Sequence, residues 1–430
     1  MRFTSFWRAC TAALALAGVL AGTVSAAGPA PARFFVPPPD QGAVQQVLDL
    51  LRHRDVKDAA LVARMETVPR AVWFTSGTPT QVRRDVRQTM SLAALERAVP
   101  VLVAYDLPFR DCGQYSAGGA KSTSEYLAWI DGLARGIGDA AAVVILEPDG
   151  LGLVPGEGCQ VSAADLAAAG YPSLAAANAA RYAELNGAVT RLEQQPGVSV
   201  YLDATHPAWL NTGDASSRLV RAGVQNAEGF FLNVSNFQYT QNSVFYGTWI
   251  SDCIAYATAI APGDFGNCPN QYWDGGPNTN WTGDALDTHQ VWSDQPYSGN
   301  TADLKWNTTG IDSRWALMLG STQPTTHFVV DTSRNGQGPW TPTTAYPDAQ
   351  DWCNPPGRGL GVRPTAATGN PLVDAYLWVK TPGESDGQCN RGISGSTTDP
   401  EWGGILDPAA GAWFPQQALQ LAQKASPSLG

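Results

Sequence analysis

A β/α barrel of about seven parallel strands is the fold this sequence predicts. Three observations carry that expectation: seven short apolar runs, helix-forming segments between them, and polar side chains gathered where the runs stop. Strands alternating with helices imply parallel pairing through crossover helices. Parallel strands are buried on both faces, so periodicity alone does not separate a closed barrel from an open doubly wound sheet. The strand ends decide for the barrel. Asp106, Asp111, Asp149, Asp203, His206, Asn233, Asn236, Asp331, Lys380, Glu384 and Asp386 all lie at or past the ends of such runs, and the carboxyl ends of barrel strands form one working rim.

Taken in order, the chain opens with MRFTSFWRACTAALALAGVLAGTVSA, in which Arg2 and Arg8 precede a short apolar run and Val24-Ser25-Ala26 supplies a small-x-small cleavage site. That is the layout of a secretory signal, with the mature, exported protein starting near Ala27. The run is shorter than the ~20 residues a membrane span needs, and no later segment is longer. The strand candidates are AVWFTS (71–76), VLVAY (101–105), VVILE (143–147), VSVYLD (198–203), GFFLNV (229–234), HFVVD (327–331) and AYLWVK (375–380). Between them, Ser122 and Glu125 have capping-box spacing ahead of YLAWIDGLARGIG, and LAAANAARYAELNGAVTRLEQQ (174–195) is rich in strong helix formers. From about 238 to 310 the pattern lapses into a Trp-, Asn- and Gly-rich stretch, and a second long loop runs from about 383 to 412; connections of that length are usually functional. Both are expected to roof the rim. No linker or internal repeat divides the rest, so 27–430 reads as one domain without an appended binding module.

Composition narrows the function. The 27 basic and 38 acidic residues give a net charge of −11, and removing the leader takes away two arginines and no acid. Nucleic acid is excluded as a partner on charge. Six of the 7 cysteines remain after the leader, and an even count in an oxidising compartment reads as three disulfides. Cys253–Cys268 and Cys353–Cys389 are the local choices, which leaves Cys112–Cys159. No C-x-x-C occurs and the 4 histidines never fall at i, i+3 or i+4, so no metal site is expected. Without a P-loop or a G-x-G-x-x-G after a strand, no cofactor is expected either.

The stretch VVILEPDGLG (143–152) raises the chemical question. Pro148 cannot join a ladder and disfavours helix before it, so Glu147 is expected to be extended and Asp149 to stand past the sheet edge. A carboxyl partly desolvated there, near other acids, has its pKa raised, as a general acid requires. The alternative is an N-cap for the next turn. Glu147, on the opposite face by alternation, is read as structural.

VLVAYDLPFRDC, VVILEPDGLG, VYLDATHPAW, HFVVDTSRNGQGP, WCNPPGRGLG and LWVKTPGESDG, in sequence and each at a predicted strand end, together resemble the catalytic domain of glycoside hydrolase family 6, the inverting cellulases. The resemblance runs from about Arg33 to the closing FPQQALQLA. It implies a distorted, incomplete (β/α) barrel and cleavage of β-1,4-glucan with inversion, the substrates being cellulose and cello-oligosaccharides. By the matching motifs Asp149 corresponds to the proton donor and Asp111 to the acid beside it, which holds up the donor's pKa and takes part in a proton network. Asp386 corresponds to the candidate base, and Tyr105 to a residue that crowds the sugar into a distorted shape. Trp73, Trp209 and Trp352 match positions that stack on glucose rings; Asp203, His206, Lys380 and Glu384 match sugar-binding positions. Two of these keep a structural alternative: Asp203 satisfying nearby backbone and Lys380 neutralising Glu384. Inversion needs an acid and a base roughly 6.5–9.5 Å apart, which separate strand ends can supply.

Departures from the pattern also carry information. Thr212 stands where fungal members often have a tryptophan, and the long loops look like insertions that close a tunnel, implying exo-acting release of cellobiose from non-reducing ends by a secreted monomer. An endoglucanase of the same family and a non-catalytic glucan-binding protein are the rival readings. GESDG (383–387) formally matches a serine-hydrolase elbow around Ser385, but a Gly-rich loop and no histidine follow it.

Overall fold

The computed structural model describes residues 33–272, 295–300, 302–303 and 306–430. The expected leader therefore lies outside the described residues, as do Trp273, Trp281 and Trp292 of the first long loop. The strands are β1 (Val72–Phe74), β2 (Val101–Ala104), β3 (Ala142–Leu146), the short pair β4 (Val154–Pro155) and β5 (Gly158–Cys159), then β6 (Val198–Asp203), β7 (Gly229–Leu232), β8 (His327–Asp331) and β9 (Val373–Leu377). Seven of them form one sheet in the order β1-β2-β3-β6-β7-β8-β9, and every pair is parallel.

The sheet curls until its two faces bury different things. Val101, Val103, Val143, Ile145, Tyr201, Phe231, Val329, Ala375 and Leu377 point inward and pack on one another. Their neighbours, among them Leu102, Val144, Leu146, Val200, Leu202, Phe230 and Val330, point outward against Trp129, Ile130, Leu133, Leu185 and Val189 of the surrounding helices. This is the period-2 alternation of a barrel wall. The barrel is incomplete, because β1 and β9 do not pair as strands. The seam is held by Ala71 N–H donating to Trp378 O at 2.9 Å and by the Trp73 indole N–H donating to Val379 O at 2.8 Å.

Local chemistry sets the element ends, and several differ from the sequence expectation. Glu147 is not extended: its φ is +57°, so strand β3 stops by a left-handed turn rather than by straightening before Pro148. Strand β9 starts and ends earlier than expected, because the N–H groups of Val379 and Lys380 donate to the Asp331 carboxylate (3.2 and 3.0 Å) and leave the ladder. The helix expected over 174–195 is Leu174–Leu192, its last turn being incompatible with Pro196. At the helix Thr123–Ile137, Ser122 caps Glu125 N–H at 3.2 Å, but the Glu125 carboxylate reaches Lys121 N–H instead of closing the box. A complete capping box occurs at Thr78 and Gln81, opening the helix Pro79–Glu96.

Disulfides join Cys112 to Cys159, Cys253 to Cys268 and Cys353 to Cys389, the three pairs expected. No helix among the described residues is long and apolar enough to cross a membrane. Trp129, Trp249, Trp315 and Trp378 are fully buried core residues.

Candidate active site

The carboxyl ends of the strands open into a cleft of about 760 Å³. Its walls carry Trp73, Tyr105, Asp111, Asp149, His206, Trp209, Trp352, Lys380, Glu384 and Asp386. The barrel thus brings together every expected site residue except Asp203, which lies behind the wall.

Asp149 is delivered by the turn after β3 with φ at +63°, a backbone shape uncommon for a residue with a side chain and often found at functional sites. No hydrogen bond from the described residues reaches its carboxyl group. Burial pushes its pKa well above the ordinary value; the charges of Asp203, Asp111 and Asp386 push the same way, and only Lys380 opposes them appreciably. Asp149 therefore keeps its proton to higher pH than an ordinary carboxyl group. The turn shows no N-cap role for it: its side chain accepts nothing, while its carbonyl takes Leu153 N–H at 2.8 Å.

Asp111 lies on the loop after β2, also left-handed at φ +55°. Its Oδ2 accepts Ser116 N–H at 2.7 Å. Burial raises its pKa, against the Ser116 hydrogen bond and the Arg110 charge. Arg110 shapes this loop by donating to the carbonyls of Thr75, Tyr105 and Ser116 (2.6, 2.7 and 2.8 Å), and its guanidinium sits 4.8 Å from the Tyr105 ring centre. Tyr105 meets Trp73 edge-on, with centroids 5.5 Å apart.

Asp386 is the opposite case. Burial would push its pKa up, but the charges of Arg334 and Lys380 and hydrogen bonds from Arg334 and the Asn354 backbone hold it below the usual carboxylate range. Arg334 Nη1 and Asn354 N both donate to Oδ2, at 2.8 and 2.9 Å, and Lys380 Nζ stands 3.6 Å from Oδ1. The cleft therefore holds one acid whose neutral form is favoured and one whose ionised form is favoured.

His206 is buried, and burial depresses its pKa to about 3, so the ring is neutral. Ala208 N–H points at Nδ1 from 3.3 Å, which makes Nδ1 the acceptor and puts the proton on Nε2. Lys380 also donates to Ser385 O at 3.2 Å, and burial raises the Glu384 carboxyl against its attraction to Lys380. Trp209 and Trp352 are half-buried faces on the wall. Gly152 lies under Trp209, where a Cβ would come within 2.6 Å of the ring.

Asp203 departs from the expected sugar contact. Its Oδ2 accepts Leu151 and Gly152 N–H (3.1 and 3.3 Å) and its Oδ1 accepts Thr205 N–H (2.9 Å), leaving the residue 3% exposed. The structural alternative is the one these contacts support, and Asp203 acts on the site by bracing the Asp149 turn. Glu147 does the same for the neighbouring loop, accepting from Asp106 and Leu107 N–H at 3.1 Å each. Ser385 is fully buried, its hydroxyl donating to Pro408 O at 2.8 Å, and cannot act as a nucleophile. Cys389, Asp399 and Asp407 cluster within ligand distance, but Cys389 is spent in its disulfide.

Sequence reading missed Arg334, Asn354 and Tyr115. An arginine three residues past a strand-end aspartate, in DTSRNG, is a usable signal for a buried counter-charge; nothing comparable marks Tyr115. Tyr115 reaches from the loop after β2 to the loops after β8 and β9. Gln350 Nε2 donates to its hydroxyl at 3.3 Å, its ring lies 6.0 Å from that of Trp352, and it packs where a Cβ on Gly387 would lie.

Acids shifted in opposite directions between flat aromatic walls suit the cleavage of a carbohydrate. The family model described as Glycosyl hydrolases family 6 matches residues 30–425. Endoglucanase A of Thermobispora bispora is 30% identical over 97% of this chain and 69% of that protein. The 1,4-beta-D-glucan cellobiohydrolase C of Emericella nidulans is 29% identical over 84% of this chain and 70% of its own length. Among solved structures, the endoglucanase Cel6 of Mycobacterium tuberculosis, in complex with methyl-cellobiosyl-4-deoxy-4-thio-beta-D-cellobioside, is 29% identical with a TM-score of 0.60, over 91% of this chain and 97% of that one. The chain belongs to glycosyl hydrolases family 6.

Proposed function

We propose that the protein is a secreted, monomeric cellulase that hydrolyses β-1,4-glucosidic bonds with inversion, acting from non-reducing ends to release cellobiose. The observation that carries the chemistry is Asp149, raised in pKa, unbonded at its carboxyl and facing a tryptophan-walled cleft. It gives its proton to the bridging oxygen as the C1–O bond breaks. Water attacks C1 from the far face of the ring, which requires a base across the cleft. Asp386 is the candidate by position. Its lowered pKa makes it a weak acceptor, so proton passage through water to Asp111, whose carboxylate is the more basic once ionised, supports the same step. Trp73, Trp209 and Trp352 offer flat faces to the C–H side of glucose rings, while His206, Lys380 and Glu384 offer polar partners to hydroxyls. Tyr105, wedged against Trp73, crowds the sugar at the cleavage point. No step calls for a cofactor.

The exo mode is supported by Tyr115, which joins loops from two sides of the rim and so favours a roofed passage. A second reading, endo cleavage, draws on the name of the Thermobispora bispora relative. Two measurements test the proposal. The anomer first released from cellotetraose is α for an inverting enzyme, and carboxymethylcellulose viscosity falls slowly relative to sugar release for an exo enzyme. An early β-anomer sinks the inversion, and a rapid viscosity drop at low sugar release sinks the exo mode. A protein that binds swollen cellulose, releases no sugar, and binds as well after Asp149→Ala is a binder and not an enzyme.

A further inference from the structure

An acid with no hydrogen bond to its carboxyl group takes its aim entirely from its backbone. Among the described residues Asp149 is such an acid, and its left-handed φ of +63° is a conformation the chain does not hold unaided. What holds it is legible group by group in the turn 149–153. Gly150 N–H donates to Glu147 O (2.9 Å) and Leu153 N–H to Asp149 O (2.8 Å), while Leu151 and Gly152 N–H go to Asp203. The carbonyls of residues 150–153 are all taken by two arginines from different helices.

Arg181, on the helix Leu174–Leu192, donates through Nη1 to Gly150 O and Leu153 O at 2.7 and 3.0 Å. Arg218, on the helix Thr212–Arg221, donates through Nη1 to Leu151 O and Gly152 O at 2.7 and 3.3 Å. Arg181 also reaches the second acid's loop, its Nη2 donating to Pro108 O at 2.6 Å, three residues before Asp111. Arg181 is 2% exposed and lies among Glu184, Glu147, Tyr126 and Tyr171, so a full charge has been buried where a neutral donor would serve a single carbonyl. Arg218 is braced at Glu157, with Nε 3.8 Å from its Oε2.

We infer that Arg181 and Arg218 are positioning residues for the hydrolytic reaction: a two-armed clamp on the carbonyls of the donor turn, with Arg181 also setting the place of Asp111 relative to Asp149. Neither arginine lines the cleft. Arg181 spreads three carbonyls over Nη1 and Nη2 of one rigid plane, which a lysine ammonium on a flexible stem does not reproduce; Arg218 works through Nη1 alone, which also lies 3.3 Å from Glu157 O. The clamp keeps the donor turn against Asp203 and Asp111, whose charges help keep the donor protonated; a slack turn lets the carboxyl move towards water and lose its proton sooner.

The inference rests on Asp149 being the donor, and its test separates the two ideas. Arg181→Lys, Arg218→Lys and the double variant are compared with wild type on cellotetraose and on dinitrophenyl β-cellobioside, with the full pH profile of kcat. Misplacement of a reacting group by an ångström costs on the order of 100-fold, so each single variant is expected to lose about 10- to 100-fold in kcat on cellotetraose with KM within about twofold. The loss is smaller on the aryl substrate, and the alkaline limb moves to lower pH. The double variant loses less than the product of the two singles, because both arms hold one turn. Folded variants with unchanged kcat and alkaline limb, or with equal losses on both substrates, overturn the inference. Should Arg181→Lys not fold, Arg218→Lys carries the test, its side chain being partly exposed at 13%. Asp149→Ala runs in parallel: full hydrolysis of cellotetraose there removes the donor assignment whatever the arginine variants do.

Discussion

At the scale of single residues, the cleft separates two carboxylates by what their oxygens touch. Among the described residues Asp149 touches no donor and is pushed up by burial and by Asp203; Asp386, the less exposed of the two, meets Arg334, Lys380 and Asn354 and is pulled down. Environment, not residue type, makes one an acid and the other an anion. Activity should accordingly persist on the acid side, where Asp386 stays ionised, and decline on the alkaline side as Asp149 loses its proton. Replacing Asp149 by alanine should lower kcat on unactivated glucan by about 100- to 10,000-fold, the usual worth of general acid catalysis, and remove the alkaline limb. An aryl leaving group needs no proton and should recover much of the loss; steady-state rates on both substrates across pH 4–9 check this, and equal losses count against the donor role.

At the scale of elements, three strand ends hold the loops of their neighbours. Glu147 at the end of β3 takes amides of the loop after β2, Asp203 at the end of β6 takes amides of the turn after β3, and Asp331 at the end of β8 takes Ser235 N–H beyond β7 and Lys380 N–H beyond β9. Three buried carboxylates of the rim are thus satisfied by backbone, while Asp149 is left to the cleft. The Cys112–Cys159 disulfide adds a covalent tie between the Asp111 loop and β5, closing a separation of 47 residues. Chain-entropy arguments put that cross-link at about 4 kcal/mol. The double variant Cys112→Ser, Cys159→Ser should melt several degrees lower and lose kcat more than it loses cello-oligosaccharide affinity, since Cys112 adjoins Asp111; calorimetry and single-turnover rates measure the two effects. Strand positions and the acids were legible beforehand because both are local: β-branched runs, and Asp149 placed just past one. What was not legible depends on neighbours distant in the chain. Asp203 read as a sugar ligand because the amides it braces lie about fifty residues earlier, and Arg181 and Arg218 read as ordinary helix arginines because their carbonyl partners are set by the packing of those helices on the barrel.

At the scale of the whole molecule, the same burial links folding to pH. Burial raises Asp106, Asp252 and Asp407 to about 7, Glu147 to about 8 and Asp203 to about 6, and pushes Asp149 up as well. An unfolded chain titrates these groups near 4. Between the two values the folded state binds more protons than the unfolded one, so stability falls as pH rises through that window. The opposite sign comes from His206, depressed to about 3: its contribution is present above the unfolded value near 6.5 and is lost as pH falls through the folded one. Asp386, Asp131 and Glu157, whose pKa values are lowered, likewise lose stabilisation only on the acid side. Burial raises Glu66, Asp111, Glu184, Asp312, Asp331, Asp351 and Glu384 as well, so among the described residues thirteen raised carboxylates against one depressed imidazole put the balance on the acid side of neutrality. The melting temperature should therefore peak at roughly pH 5 and decline steadily to pH 8, with proton release on unfolding over that range, by about one proton for each raised group whose window is crossed. Thermal melts in buffers of differing ionisation enthalpy measure both quantities, and a melting temperature that climbs from pH 5 to pH 8 would show that these carboxylates are ionised in the folded protein, Asp149 among them.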